Sequence, residues 1–321
     1  MQIKIGVIIV NYNSANYLQK TLACLAKQTY PAFRIIVLDN NSQEIIPEHA
    51  FPAELNIQFI QAEKNLGFAG GNNLASQYAQ DCDWIALLNP DAFPEDKWLE
   101  ALAQATCDYP DHAFFASKLL KANKPTIFDG SGDQYHISGK AWRRDFEKLN
   151  LKQRELPEEI FAPCAAAALY RQDAWLAAEG FDVNYFCYFE DVDLAFRLRL
   201  LGYRCQYIPN AIAHHVGSAV TQRHSDFYIY FGQRNMVWTY FKNMPGFLFW
   251  IYLPFHLSLN IAAIIMFSLK GRSKIILKSK WDAIKGLPRI LRQRRKWQSR
   301  RAISSWSIRS MLSKGLPWQK T

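Results

Sequence analysis

Three short polar clusters each follow an apolar run: Asn11-Tyr12-Asn13 after Ile5 to Val10, Asp39-Asn40-Asn41-Ser42 after Ile35 to Leu38, and Asn89-Pro90-Asp91 after Trp84 to Leu88. Asn, Asp and Ser close turns and cap helices, so any one cluster alone is ordinary loop chemistry. Three clusters at strand ends carry more weight, because parallel α/β sheets bind ligands beyond the carboxyl ends of their strands. They predict a polar ligand cleft. The stretch Asn65-Leu66-Gly67-Phe68-Ala69-Gly70-Gly71-Asn72-Asn73 adds a glycine-rich entry to a helix, expected near Gly70. Free N–H groups there suit a diphosphate or a sugar. The glycines fall at 67, 70 and 71 and do not form the GxGxxG dinucleotide fingerprint.

Two further groups carry charge. Asp91 is a single carboxylate able to hold a hard divalent cation that keeps waters and binds phosphate oxygens. His214-His215 lies after the strand Cys205 to Ile208 and an expected turn at Pro209-Asn210. Glu190-Asp191-Val192-Asp193 places three carboxylates at a helix start, where the helix dipole favours acids for purely structural reasons. The aromatic lead-in Phe186-Cys187-Tyr188-Phe189 points further, to a walled carboxylate that takes a proton from a hydroxyl. The helix N-terminus predicts a lowered pKa for that base.

The elements that must position these residues are legible as alternating short apolar runs and amphipathic helical patterns. Ile5 to Val10, a helical face of Leu18, Leu22, Leu25 and Ala26, and Ile35 to Leu38 make a βαβ unit. Ile57 to Ile60, Trp84 to Leu88 and a helix opened by Pro94-Glu95-Asp96 continue it. The expected class is α/β, a Rossmann-like, mainly parallel sheet flanked by helices. Lys121 to Pro163 reads as an insertion with one short strand near Ile127. Ala165 to Tyr170, a short helix at Asp173 to Glu179, a helix from Glu190 to Leu201 and the Cys205 strand follow, and the globular part closes near Tyr240. Six cysteines without a CxxC pair fit a reduced compartment, and the short first apolar run is a strand rather than an export signal.

Together the residues resemble family 2 glycosyltransferases, inverting enzymes of the GT-A fold, and within them a rhamnosyltransferase-like bacterial branch. The likeness rests on Val10 to Asn13, Asp39 to Ser42, Asn65 to Asn73, Leu88 to Asp91, Phe189 to Leu194 and His215-Val216-Gly217-Ser218, in family order over roughly the first 240 residues. It implies that Asn11 and Asp39 hold the nucleotide base and ribose, with Tyr12, Asn13, Asn41 and Asn89 also on the donor side. Asn65, Gly67, Phe68, Gly70, Gly71 and Asn72 would line the donor. Asp91 stands at the family's DxD metal ligand, here reduced to Asn89-Pro90-Asp91, and His215 resembles the late metal-ligating histidine, with His214 as the alternative register. The implied cofactor is Mg²⁺ or Mn²⁺. Asp191 matches the catalytic base, with Glu190 and Asp193 on the acceptor side. The implied reaction moves a sugar from dTDP-rhamnose or a UDP-sugar to a glycan or lipid-linked hydroxyl with inversion, in cell-surface polysaccharide or lipopolysaccharide synthesis.

The expected organisation is a GT-A domain over 1–240, with a donor half to about 120 and an acceptor half after it, and a hydrophobic and basic membrane-association region over 241–321. No charged residue lies between Lys242 and Lys270, whereas residues 270–321 hold sixteen Lys and Arg against one acid, Asp282. The rest of the chain is mildly acidic. Basic residues interleaved with Trp281, Trp297, Trp306 and Trp318 fit an anionic membrane surface on the cytoplasmic side of the inner membrane, peripheral or single-pass. Nucleic-acid binding would use the same tail but leaves the acidic body and its polar strand ends unexplained, so no nucleic-acid partner is expected. A processive polysaccharide synthase is the other alternative, because Gln293-Arg294-Arg295-Lys296-Trp297 nearly matches QxxRW.

Overall fold

The first four expected apolar runs form one half of a single sheet. The computed structural model describes residues 2–47, 51–150, 154–217 and 225–315; Ser218, which closes the His215 motif, and Trp318 in the tail lie outside them. β1 (Ile5–Asn11) is buried throughout and runs parallel to β2 (Phe33–Asp39) on one side and β4 (Trp84–Leu88) on the other. β3 (Ile57–Gln61) is the half-exposed edge beyond β2. Alternate residues of β1 and β2 supply two cores, as a period of two requires. Val7, Ile9, Ile35 and Val37 meet Leu18 and Leu22 of α1 (Ala15–Leu25) and Trp98 and Leu102 of α3 (Trp98–Asp108). Ile8, Val10, Ile36 and Leu38 meet α2 (Gly67–Ser76) and α5 (Glu190–Leu200) across the sheet.

The other half differs from expectation in three places. β6 (His112–Lys121) occupies a stretch where no strand is expected, and it is buried along nearly all its length despite Ser117 and Lys118. Burial on both faces leaves no alternation to read. β7 (Lys124–Gly130), the strand expected near Ile127, pairs with β6, and β8 (Asp133–Tyr135) pairs with β9 (Ala141–Arg143), so the insertion holds more strand than the one expected. β12 (Arg204–His215) does not turn at Pro209-Asn210; the ladder to β6 shifts register between Ile208 and Ile212, and the proline is absorbed as a bulge. β11 (Ala167–Arg171) is antiparallel between β4 and β6 and makes the sheet mixed. β10 (Glu158–Glu159) and β5 (Ala92–Pro94) pair with the two ends of β12 on the side away from β6, and α4 (Gln172–Ala177) follows β11.

Among the described residues four helices follow β12: α6 (Asp226–Asn243), α7 (Gly246–Leu269), α8 (Ser273–Ser299) and α9 (Ser305–Met311). Tyr240, Phe249, Trp297 and Ile308 lie in the same buried cluster as Phe161 and Phe196, so these helices pack on the sheet layer itself. Among the described residues α7 alone has the length and apolar composition to cross a bilayer.

Candidate active site

At the ends of β1 and β2 the polar clusters hold one another. Asp39 is 3% exposed and accepts from Asn11 Nδ2 at 2.9 Å, Ser42 Oγ at 2.6 Å, Ser42 N at 3.0 Å and Gln61 Nε2 at 2.8 Å. Burial would raise its pKa, but these donors outweigh burial and lower it, so the carboxylate is charged and fixed. Asn11 Oδ1 is buried with no hydrogen-bond partner, an acceptor left over at the strand end. Asn13 and Asn41 take positive φ at the two turns, and Asn13 Oδ1 accepts from Gln43 N. Tyr12 is partly exposed between them.

The glycine-rich stretch does more packing than its residue types predict. α2 opens at Gly67, not Gly70, and Gly67 has φ +70°; a Cβ there would lie 2.5 Å from Phe186. Gly71 backs onto Val10, where a Cβ would meet Cγ1 at 2.7 Å, and Asn72 is turned inward onto Phe68 O. Gly70 is buried, and Phe68 leans on Phe181. Asn40 and Asn65 brace the entry: Asn40 Nδ2 donates to Asn65 Oδ1 and Gly67 O, and Asn40 Oδ1 accepts from Leu66 N.

Asp91, at the turn between β4 and β5, is 7% exposed. His215 Nε2 lies 3.3 Å from Asp91 Oδ1 without the alignment of a hydrogen bond, and its Nδ1 is 2.7 Å from Asp129 Oδ2. Burial alone would lower the imidazole pKa; Asp129 and Asp91 outweigh it and raise it to about 9. His214 does not join them. Because β12 continues as a strand, its side chain faces the other way and meets Glu95 Oε1 at 2.9 Å, which removes it from the Asp91 group. Asp129 also pairs with Arg143, whose NH2 lies 3.0 Å from Cys164 Sγ.

On the other side of Arg143 stands Asp191, in the first turn of α5. Its oxygens accept from Val192 N at 2.8 Å and Ala165 N at 3.3 Å. Burial outweighs these bonds and the Arg143 charge, so its pKa is raised; the lowered value expected from the helix N-terminus is corrected. A higher pKa makes a stronger base. Phe186, Tyr188 and Phe189 in the aromatic lead-in all have φ between 67° and 69°. Three such residues in four are strained and persist only when over-determined. Asn235 of α6, fully buried, supplies that restraint by donating to the carbonyls of Tyr185, Cys187 and Tyr188. Phe186 O accepts from Ala69 N, which ties the strained loop to the glycine-rich entry.

With this geometry in place, the comparisons are decisive for family. The model of glycosyl transferase family 2 matches residues 6–175. The chain belongs to that family. As a family 2 glycosyltransferase it transfers a sugar from a nucleotide-sugar donor. It is 25% identical over 264 residues to N-acetylglucosaminyl-diphospho-decaprenol L-rhamnosyltransferase of Mycobacterium tuberculosis (strain CDC 1551 / Oshkosh), covering 72% of this chain and 85% of that one. It is 28% identical over 229 residues to rhamnosyltransferase WbbL of Escherichia coli (strain K12), covering 65% and 83%. S. aureus TarS 1–349 in complex with UDP superposes with a TM-score of 0.58 at 17% identity over 96% of this chain and 90% of that one. The mannosyltransferase PcManGT from Pyrobaculum calidifontis, solved with GDP-Man and Mn²⁺, gives 0.54 at 15% identity over 97% and 87%. These likenesses establish the GT-A fold.

Within this glycosyltransferase the acidic triplet splits into different jobs. Asp193, expected on the acceptor side, is fully buried among Tyr185, Arg197, Lys242 and Asn243 and is part of the scaffold. Glu190 is 5% exposed with Oε2 unpartnered, and burial, then the Asp191 charge, pushes its pKa well up. The near-QxxRW stretch is a packing element: Trp297 is 2% exposed beneath Arg197, and Arg294 donates to Phe241 O and Met244 O.

Asp133, Asp129, Arg143 and Asn235 join or brace the candidate site, and sequence reasoning missed them. The only local signal was the run Asp129-Gly130-Ser131-Gly132-Asp133, acids among small residues. Asp133, Cys164 and Asp191 bring their ligand atoms within 4.8 Å of one another. Asp133 is 8% exposed, and burial followed by the Asp191 charge raises its pKa to about 7. A carboxyl with a raised folded pKa stabilises fully below its unfolded pKa, and that stability is lost as pH rises through the folded value. Asp133→Asn, which does not ionise, should therefore gain on the native chain by up to roughly 4 kcal/mol between pH 4 and 8. Denaturant titrations across that range check this; a constant difference would show that Asp133 ionises as an ordinary carboxyl.

Proposed function

We propose that this family 2 enzyme is an inverting, rhamnosyltransferase-like transferase that uses dTDP-rhamnose or a UDP-sugar. The acceptor is a hydroxyl of a lipid-linked or glycan substrate at the cytoplasmic face of a membrane, in cell-surface polysaccharide synthesis. The observation that carries the reading is Arg143. It touches Asp129, which holds His215 beside Asp91, and Cys164, which stands beside Asp191. A leaving-group side and a base side therefore meet at one guanidinium.

Each part has a chemical task. Asp39 and the free Asn11 Oδ1 would meet the ribose and base, and the glycine-rich α2 entry, whose Leu66, Gly67 and Ala69 N–H groups already have partners, would line the donor by shape. Asp191 takes the acceptor proton as that oxygen attacks the anomeric carbon from the face opposite the diphosphate. The donor set fits a hard cation: Asp91 offers an oxygen ligand, the buried Asn89 Oδ1 lacks a hydrogen bond, and His215 Nε2, also without one, would become a ligand once a cation displaced its proton. Bound Mg²⁺ or Mn²⁺ would neutralise the charge that develops on the diphosphate. Rhamnosyltransferases recur among the relatives, one of them named for a diphospho-decaprenol acceptor, which supports the acceptor class.

Calorimetry with a panel of nucleoside diphosphates and nucleotide-sugars tests the donor assignment. Chelator should abolish transfer, and Asp91→Ala should weaken nucleoside diphosphate binding by about tenfold or more when Mg²⁺ or Mn²⁺ is present and little when it is absent. Full transfer in chelator would mean that side chains alone stabilise the leaving group.

A further inference from the structure

We infer that α7 does not cross the bilayer but lies in its plane, one side on the protein and the other in lipid, and that α8 borders the same surface with charge for an anionic leaflet. The inference rests on the proposed membrane-face reading and specifies its geometry. Leu248, Tyr252, His256, Leu259, Ala263 and Phe267 are all under 9% exposed. Their spacing of three and four marks one face along the whole helix. The opposite face is open and apolar, with Trp250 at 70%, Phe255 at 54%, Ile261 at 58%, Ile265 at 56% and Leu269 at 84% exposed.

The covered face is tied to the protein at both ends and in the middle. Near the start, Tyr240 Oη donates to Phe249 O. At the centre, His256 stacks on Tyr240 at 4.1 Å with Nδ1 2.8 Å from Ser138 O, and Lys280 Nζ donates to Asn260 Oδ1 at 2.6 Å. Near the end, Phe267 packs with Ile229 and Ile276. A spanning α7 would drag Ser138, Lys280 and their backbone partners into hydrocarbon, where polar groups must be satisfied internally. An in-plane helix sinks only its open face.

α8 shows three stripes. Ile276, Ser279, Ala283, Ile290 and Trp297 are buried. Leu277, Trp281, Ile284 and Leu291 are 42–58% exposed at spacings of four, three and seven. Lys274, Lys278, Lys285 and Arg292 are exposed and fall to one side of that apolar stripe by helical rotation. An apolar stripe bordered by Lys and Arg is the signature of an interfacial helix. Charge decides the occupant: a second copy of the chain would bring the same cations against it, whereas an anionic leaflet is complementary.

The test uses full-length protein and phosphatidylcholine vesicles with and without phosphatidylglycerol. Flotation should show binding mainly to the anionic vesicles. Trp250→Ser with Ile265→Ser should weaken it by about tenfold or more. Replacing Lys274, Lys278, Lys285 and Arg292 by Gln should weaken it by at least about a hundredfold. Nucleotide binding should stay unchanged in both variants, which shows that they fold. In Cys107→Ser protein bound to vesicles, a fluorophore on Phe247→Cys, Leu257→Cys or Leu269→Cys, at the start, middle and end of the open side of α7, should be quenched equally by a lipid labelled near its headgroup, because an in-plane helix keeps one depth along its length. Quenching much weaker at Leu257 than at the two ends, as a helix crossing the bilayer gives, would overturn the in-plane geometry alone. No binding to either vesicle type, or self-association through this face in their place, would overturn the membrane reading as well.

Discussion

Asp191→Asn should lower kcat by at least about a hundredfold while nucleotide-sugar affinity changes by no more than about twofold. Asn keeps the size of the side chain, and its Oδ1 can still accept from Val192 N in the α5 turn; only the longer bond from Ala165 N, which goes to the other carboxylate oxygen, is lost. What it loses is the capacity to take a proton. The raised pKa of Asp191 follows from burial and marks a carboxylate whose charged form is held at some cost. In the proposed mechanism its partner is the acceptor oxygen and not the diphosphate, so donor binding measured by calorimetry is the control. Near-normal turnover in the mutant would reduce Asp191 to a helix-start acid and remove the mechanism.

Asp193→Ala, two residues along, should behave in the opposite way and unfold the protein at markedly lower denaturant, with a loss of about 3–5 kcal/mol. Asp193 Oδ2 accepts from Arg197 Nε at 2.9 Å and Lys242 Nζ at 2.9 Å, and its Oδ1 accepts from Asn243 Nδ2 at 2.8 Å. Arg197 and Lys242 are themselves 2% and 1% exposed, so removing the carboxylate strands two buried cations. Lys242 keeps Asp182 at 3.0 Å, which offsets part of the loss. Burial would raise the pKa of Asp193, but Lys242 and Arg197 outweigh burial and lower it. The stability it contributes is therefore present above the unfolded carboxyl pKa and lost as pH falls through the lowered folded value. Urea titrations at neutral and acid pH should show the gap between mutant and native chain closing on acidification. A mutant of native stability would show that the ion cluster is not structural.

The contrast between these neighbours shows where sequence reading ends. Glu190, Asp191 and Asp193 carry one residue type in one helical turn, and nothing local separates a base from a scaffold acid. Rotation does: on α5, Asp193 points toward α6 and the buried Lys242, whereas Asp191 points toward β8 and Ala165. The strained lead-in is similar. Its aromatic residues are visible in the chain, but positive φ at Phe186, Tyr188 and Phe189 is possible only because Asn235, 48 residues from Cys187, grips the loop.

By itself the sequence determined the class of fold, the polar strand ends and the family, because period two, period three to four and residue type at strand ends are local properties of a chain. It also singled out Asp39, Asp91, Asp191 and His215 as candidate site residues. Only the tertiary structure decided that His215 and not His214 meets Asp91, since that depends on β12 running through Pro209-Asn210 as a bulge. It alone brought Asp129 to His215 across 86 residues and Asp133 to Asp191, and it set Arg143 between the two pairs. Likewise it turned the long apolar stretch into a helix with one covered and one open side. The reason in each case is the same: which side chains meet is set by sheet register and helix rotation relative to distant elements, and neither is encoded within any single segment.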